Sequence, residues 1–269
     1  INSFQTNLGG DMESLRDKSV ILTGAGSGIG RITAKMLGEQ GANVFIVGRR
    51  ENLLKESAKE IEQAGGNAAY ISADLEDGDA AANVAEEAIK EFGKIQYLVN
   101  NAGHSSKVRA IRYVEKEDWQ SVFNVNVEGV YRLSQAIIPN MIQNGEGTIV
   151  TVSSMAAVTP GLMGGVPYSS AKAAVAAMMT AMRQELREHN IRTCTVYPAE
   201  VDTPILDNRP LPPDAEARAT MMMPEDIAET ILLCMRMPQR TIVQDVIVSP
   251  TIQRDVSEDM KIAKSLGKK

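Results

Sequence analysis

Tyr168 and Lys172 stand four residues apart, in Tyr168-Ser169-Ser170-Ala171-Lys172, at the head of a stretch with helical periodicity. Residues four apart on a helix share a face. A phenol has a reference pKa of about 10 and is a poor base at neutral pH. A neighbouring ammonium favours the phenolate and lowers that value. The pair therefore predicts an acid/base couple working near neutrality, a role worth typically about 10²–10⁴-fold in rate. The same spacing also occurs by chance on amphipathic helices, so the couple needs a site around it.

A second group of residues is suited to holding phosphates. A β-branched run, Ser19–Thr23, leads directly into Thr23-Gly24-Ala25-Gly26-Ser27-Gly28-Ile29-Gly30, and helical periodicity follows. Glycines there let the backbone turn tightly and let a pyrophosphate approach amide N–H groups at a helix N-terminus. Gly30 would permit close packing of helix on strand. Ile29 stands where the third glycine of the standard dinucleotide fingerprint would be, so the turn reads T-G-x-x-x-G-x-G.

A third group would choose the nucleotide. The next strand, Asn43–Val47, runs into Gly48-Arg49-Arg50. The residue at that strand end faces the adenosine ribose, roughly twenty positions beyond the glycine turn. An Asp or Glu there accepts from a free 2′-hydroxyl and repels a 2′-phosphate. Gly48 does neither, and the Arg49 guanidinium matches a phosphate with two charge-assisted hydrogen bonds. The expectation is NADP(H), with NAD(H) the weaker candidate. Glu51 is expected to point to solvent. The alternative is that Arg49 and Arg50 are a solvated helix start.

The rest of the composition limits other chemistries. Two histidines, His104 and His189, and two distant cysteines, Cys194 and Cys234, supply neither zinc spacing nor a disulfide framework, and no metal is expected. Both cysteines read as core thiols of a reducing, cytoplasmic protein. The net charge of -6 argues against a nucleic-acid surface, and no apolar run of 18 residues predicts a membrane span. His104 reads as a surface residue or a cleft residue. Trp119 reads as helix packing. Met155, Met163 and Met221–Met223 read as core or loop filler, or alternatively as an apolar substrate pocket.

These groups must be positioned by a framework, and the pattern supplies one. Strands are predicted at Ser19–Thr23, Asn43–Val47, Ala68–Ser72, Tyr97–Asn100, Thr148–Ser153, Arg192–Tyr197 and Asp245–Val248. Their continuous apolar character suits burial on both faces. Helices are predicted at Gly30–Gln40, Arg50–Ala64, Ala80–Phe92, Asp118–Gln143, Tyr168–His189 and Pro224–Met235. This alternation predicts an α/β, doubly wound parallel sheet of Rossmann type with helices on both faces, a three-layer α/β/α sandwich. At 269 residues with 43% hydrophobic composition the chain can bury a full core. Residues 1–17 are expected as a flexible leader, 18–256 as a single catalytic domain, and 257–269 as a charged, frayed tail. The stretch Pro204–Met223 lacks periodicity and reads as a loop, either over a site or simply connecting.

The ordered set of Thr23–Gly30, Asp74, Asn100-Asn101-Ala102-Gly103, Asn126, Ser154, Tyr168 to Lys172, and Pro198 to Thr203 resembles the short-chain dehydrogenase/reductase family, single-domain branch, over roughly 18–249. The resemblance implies that Tyr168 is the general acid/base. Lys172 would bind the nicotinamide ribose and tune Tyr168, Ser154 would orient the substrate oxygen, and Asn126 would hold a relay water. Ser153 adjoins Ser154, and Asn124 stands two positions from Asn126. On the cofactor side it implies Gly24, Ser27, Gly28, Ile29 and Gly30 at the pyrophosphate, with Arg49, Asp74 and Leu75 at the adenosine. Asn101, Ala102 and Gly103 would back the adenosine, and Pro198, Val201 and Thr203 would receive the carboxamide. Pro198-Ala199 replaces the family's usual Pro-Gly.

The activity implied is interconversion of a small alcohol and its carbonyl by hydride transfer, in a homotetramer or homodimer joined through the helices at 118–143 and 168–189. A catalytically silent NADP-binding sensor or scaffold is the alternative, although such proteins usually lose the Tyr or the Lys. Epimerases of the longer branch carry a different glycine turn and a larger C-terminal domain. Hydroxy acids, varied ketones and acyl-carrier-protein ketones all remain open as substrates.

Overall fold

The computed structural model describes residues 12–268. Seven strands form one parallel sheet in the order β3-β2-β1-β4-β5-β6-β7. They are β1 Ser19–Thr23, β2 Asn43–Gly48, β3 Asn67–Ser72, β4 Tyr97–Asn100, β5 Gly147–Val152, β6 Ile191–Pro198 and β7 Asp245–Val248. Each lies within one residue of its predicted ends. The doubly wound fold is thus observed. Along β1, Val20 and Leu22 feed the core on one face while Ile21 feeds the other, the period-two alternation of a strand buried on both sides.

The helices are α1 Gly28–Glu39, α2 Glu51–Gln63, α3 Ala80–Phe92, α4 Lys116–Phe123, α5 Gly129–Asn144, α6 Met155–Val158, α7 Val166–Leu186, α8 Ala215–Arg218, α9 Pro224–Arg236 and α10 Ser257–Ser265. Leu37 of α1, Ile61 of α2 and Ile231 of α9 share one core with the sheet. Val84 of α3, Ile137 of α5 and Met179 of α7 share the other. Helix α9 starts as its sequence suggests, with Pro224 in its first turn and the Asp226 carboxylate accepting the Met223 N–H at 2.8 Å.

Several expectations need correction. Strands β3 and β7 are not buried on both faces; they are the sheet edges, and residues such as Tyr70 and Ile247 are exposed. The predicted helix 118–143 is interrupted by a π-helical turn, Asn124–Glu128. The tail is not frayed. Helix α10 buries Asp259 and Ala263, and Arg254 ties Asp259 to Glu200, so long-range ion pairs hold a segment whose own composition is charged. Nor is the end of the expected leader loose. Leu15 is buried and Glu13 donates its N–H to the Arg236 carbonyl at 2.7 Å. Residues 1–11 of that expectation lie outside the described residues. The loop Pro204–Met223 contains a 3-10 turn, Pro204–Asn208, and α8, stitched by Arg218 to Asp202 and Asp207.

Among the described residues no helix is long and apolar enough to cross a membrane. No three His, Cys, Asp or Glu side chains there are grouped as a metal site.

Candidate active site

The strand order reverses between β1 and β4, and an open α/β sheet forms its ligand crevice at such a point, beyond the carboxyl ends of the strands. A cleft of about 1130 Å³ lies there. Thr23 Oγ1 accepts the N–H groups of Asn101 and Ala102, both at 3.0 Å, and so joins the two strand ends. Gly24 has φ +70, and a Cβ added to it would lie 2.9 Å from the Ala102 Cα. Glycine is therefore required on both conformational and steric grounds. Ser27 caps α1 without a side-chain cap hydrogen bond, so the helix's first amide groups are left to a ligand. This cradle fits a dinucleotide pyrophosphate. Gly24, Ser27, Gly28 and Ile29 line the cleft. Gly30 is set back from this lining. A Cβ there would lie 2.3 Å from the Gly24 carbonyl oxygen, so Gly30 serves packing behind the turn.

At the adenosine end, Gly48, Arg49, Arg50, Asp74 and Leu75 line the same cleft. The Arg49 guanidinium is well exposed and lies 3.8 Å from the Asp74 carboxylate. Arg50 donates to Ser27 Oγ at 3.2 Å. Glu51 pairs with Lys55 along α2 at 2.8 Å and is exposed, so it does not compete for the strand end.

The chemical end is built where β5 ends and α7 begins. Ser153 and Ser154 part company there. The Ser153 hydroxyl is buried and donates to the Lys172 carbonyl at 2.9 Å, whereas Ser154 is partly exposed and caps α6. Lys172 Nζ lies 5.6 Å from the centre of the Tyr168 ring and donates to the Val152 carbonyl at 2.8 Å. Burial lowers the Lys172 pKa to about 8. Burial raises that of the Tyr168 phenol, while a hydrogen bond with Ser154 and the charges of Arg209 and Arg109 pull it back. Ser154, Tyr168, Lys172, Asn101, Ala102, Gly103, Pro198, Val201 and Thr203 all line the cleft.

Asn126 stands behind this wall. Its amide donates to the His104 and Val122 carbonyls, each at 2.8 Å, and its buried Oδ1 has no partner among the described residues. A Cβ at Gly103 would lie 2.6 Å from that oxygen and 3.3 Å from Lys172 Nζ, so a bare backbone separates the two groups. The π-helical turn sets Asn126 inward, while Asn124 accepts from Gln120 at the exposed side. His104 lines the cleft, with Nε2 3.1 Å from the Ser121 carbonyl. Met155 and Met163 line it as well, whereas Met221 and Met222 are core residues. Trp119 packs on Phe123 with ring centres 4.6 Å apart.

One cluster of cleft residues went unnoticed in the sequence. Arg109, Glu200 and Arg209 line the end beyond Tyr168. Burial pushes up the Glu200 carboxyl, but hydrogen bonds from Arg254 and Arg209 outweigh it and hold the pKa below the ordinary value. Burial, reinforced by the charge of Arg209, brings Arg109 down to about 10. These residues come from loops without periodicity, and no local spacing links positions 109, 200, 209 and 254.

Comparison with known proteins agrees with this geometry. Residues 18–212 match the short chain dehydrogenase family. The 3-oxoacyl-(acyl-carrier-protein) reductase of Thermotoga maritima is 33% identical over 227 residues, covering 81% of this chain and 90% of that protein. A metagenomic short-chain oxidoreductase in complex with NADP superposes with a TM-score of 0.77 at 29% identity, covering 90% of this chain and all (100%) of that one. The 3-ketoacyl-(acyl-carrier-protein) reductase of Brucella melitensis, complexed with NADH, superposes with a TM-score of 0.78 at 31% identity, covering 87% of this chain and 98% of that one. Sequence, sheet order and cleft agree: the chain belongs to the short-chain dehydrogenase family of nicotinamide-dependent oxidoreductases.

Proposed function

We propose that the protein is an NADP(H)-dependent oxidoreductase that interconverts a secondary alcohol and the corresponding carbonyl compound. The observation that carries this reading is the grouping of the Ser154 hydroxyl, the Tyr168 phenol and the Lys172 ammonium on one wall of the crevice. The nicotinamide, when bound, supplies the hydride acceptor or donor.

Tyr168 takes the hydroxyl proton as the alcohol is oxidised and returns it as the carbonyl is reduced. Ser154 hydrogen-bonds the substrate oxygen and holds it against the phenol. Lys172 favours the phenolate by its charge and is close enough to the cleft to bind the ribose hydroxyls. Asn126 offers its unpartnered Oδ1 to a water that passes the proton onward. Kinship does not choose the cofactor, since one neighbour carries NADP and another NADH. Gly48 and Arg49 do so by removing the repelling carboxylate and adding a phosphate-matching cation.

The assembly expected is a homotetramer or homodimer through α4, α5 and α7, where Tyr131 and Ile142 of α5 are exposed, and light scattering measures it. The buried free thiols of Cys194 and Cys234 support a reducing, cytoplasmic setting.

A screen of ketones and aldehydes followed by NADPH absorbance tests the reaction. Tyr168→Phe should abolish the turnover found while NADPH still binds. A Phe variant with parental turnover, or a screen in which no carbonyl compound consumes NADPH, overturns the reading.

A further inference from the structure

Arg109 differs from the other deeply buried arginines. Arg192 donates to Thr148 Oγ1 and to the carbonyls of Met235, Met237, Pro238 and Thr241. Arg183 donates to the carbonyls of Thr193 and Gln244 and reaches Asp245. Arg109 is only 5% exposed, yet its Nε has no hydrogen-bond partner and no carboxylate lies within ion-pair distance among the described residues. A buried cation without a partner is unfavourable unless something else neutralises it. The nearby acids are engaged elsewhere. Glu200 lies between Arg209 and Arg254, Asp259 pairs with Arg254, and Asp118 accepts from the Ser106 hydroxyl. Glu200 and Asp259 are thus taken up by Arg209 and Arg254, and Arg109 forms no ion pair among the described residues.

Arg109 also stands close to the proposed acid/base. Its carbonyl accepts the Val166 N–H at 2.9 Å, at the first residue of α7 and two residues before Tyr168. A Cβ added to Gly165 would lie 2.8 Å from the Arg109 Cβ and Cγ, and one added to Gly164 would lie 3.5 Å from the Tyr168 ring. Two adjacent glycines therefore separate the stem of Arg109 from the phenol, and both side chains line the cleft.

We propose that Arg109 binds the carboxylate of a short hydroxy or oxo acid, so that the substrate class is a free carboxylic acid whose reacting carbon lies a few bonds from the carboxylate. This rests on the oxidoreductase reading above. The planar guanidinium suits a carboxylate bidentately. A monoanion matches the one positive charge of the guanidinium, whereas a neutral ester or thioester offers it none.

The test compares short 2- and 3-hydroxy acids with their methyl esters, using NADP+, in the parent, Arg109→Met and Arg109→Lys. The parent should prefer acid over ester in kcat/KM by about a hundredfold, the size given by two charge-assisted hydrogen bonds. Arg109→Met should bring that ratio near one, mainly through KM, and Arg109→Lys should recover part of it. Equal turnover of acids and esters by the parent overturns the carboxylate assignment while leaving the oxidoreductase reading intact. If neither class is turned over, that reading fails for these substrates, and binding decides the inference. Butyrate added to the NADPH complex should change the nicotinamide fluorescence with an affinity at least about tenfold weaker in Arg109→Met. No binding, or equal binding, overturns it. The melting temperature of ligand-free Arg109→Met should match or exceed the parent's, because an unpaired buried charge is removed. A clear fall would make Arg109 a structural prop and also overturn the proposal.

Discussion

The two ends of the cleft are made of different material. The end beside β1 and α1 is made of main chain: glycines with no Cβ, amide groups at a helix start, and Asn101 and Thr23 joining strand ends. The end beside β5 and α7 is made of side chains: Ser154, Tyr168, Lys172 and a group of arginines and acids. The difference teaches how each can fail. The first is damaged by adding atoms, and the second by removing them.

The sharpest contrast should come from the side-chain end. Ser154→Ala removes the donor assigned to the substrate oxygen. Turnover should fall by about 10²–10³, the usual effect of losing a transition-state hydrogen bond, while NADPH affinity by fluorescence titration stays within about twofold of the parent. Ser153→Ala should leave NADPH affinity unchanged too, but its turnover should remain far above that of Ser154→Ala. Equal losses in the two variants would break the assignment of Ser154.

Adding one methyl group at the other end should act on binding and stability. Gly30→Ala places a Cβ where 2.3 Å separates it from a backbone oxygen, which no side-chain rotation relieves. Overpacking of this kind costs about 1–3 kcal/mol, so the melting temperature should drop by several degrees, about 2–4 °C per kcal/mol in a chain of this size. NADPH affinity should fall with it. A Gly30→Ala variant with parental melting and parental affinity would show that the turn is looser than its contacts imply.

The same end can be re-addressed as well as damaged. The parent should bind NADPH at least about tenfold more tightly than NADH, given one or more charged hydrogen bonds to the 2′-phosphate. Combining Gly48→Asp with Arg49→Ser should reverse the order in paired titrations of both cofactors. Equal affinity in the parent would leave Arg49 as a surface residue.

The smallest effects concern Lys172, where the two ends meet. Without its charge the Tyr168 phenol, already raised by burial, should ionise at still higher pH. The alcohol-oxidation profile of Lys172→Ala should therefore move upward in pH, by about one unit for a nearby charge, and an unmoved profile removes Lys172 from the mechanism. Stability gives an independent check. The folded pKa of Lys172, about 8, lies below its ordinary value of 10.5. The unfolded chain thus binds the extra proton between those values, and stability rises with pH across that window. In ligand-free Lys172→Ala that part of the melting profile should flatten.

Local pattern carried much of this molecule. The runs that became β1, β4 and β7 were legible end to end because β-branched stretches bounded by turn residues have few alternatives. The glycine turn was legible because a backbone that must approach a phosphate admits few side chains. The Tyr168–Lys172 pair was legible because helical periodicity alone puts them on one face. Helix α10 was not, since its anchor is the pairing of Arg254 with Glu200 and Asp259 rather than any apolar stripe. The break between α4 and α5 was also hidden. Its π-helical turn serves the inward placement of Asn126, and nothing in the spacing of residues 118–143 marks it.

The sequence by itself determined the succession of strands and helices, the glycine turn between β1 and α1, and the common face of Tyr168 and Lys172, because each depends on residues close together in the chain. Only the tertiary structure decided which serine hydroxyl is tied to the main chain, that Gly30 packs behind the turn, and that Arg109 has no ion-pair partner among the described residues. Those outcomes depend on which side chains from distant segments reach one another, and a buried charge is unpaired only with respect to everything that surrounds it.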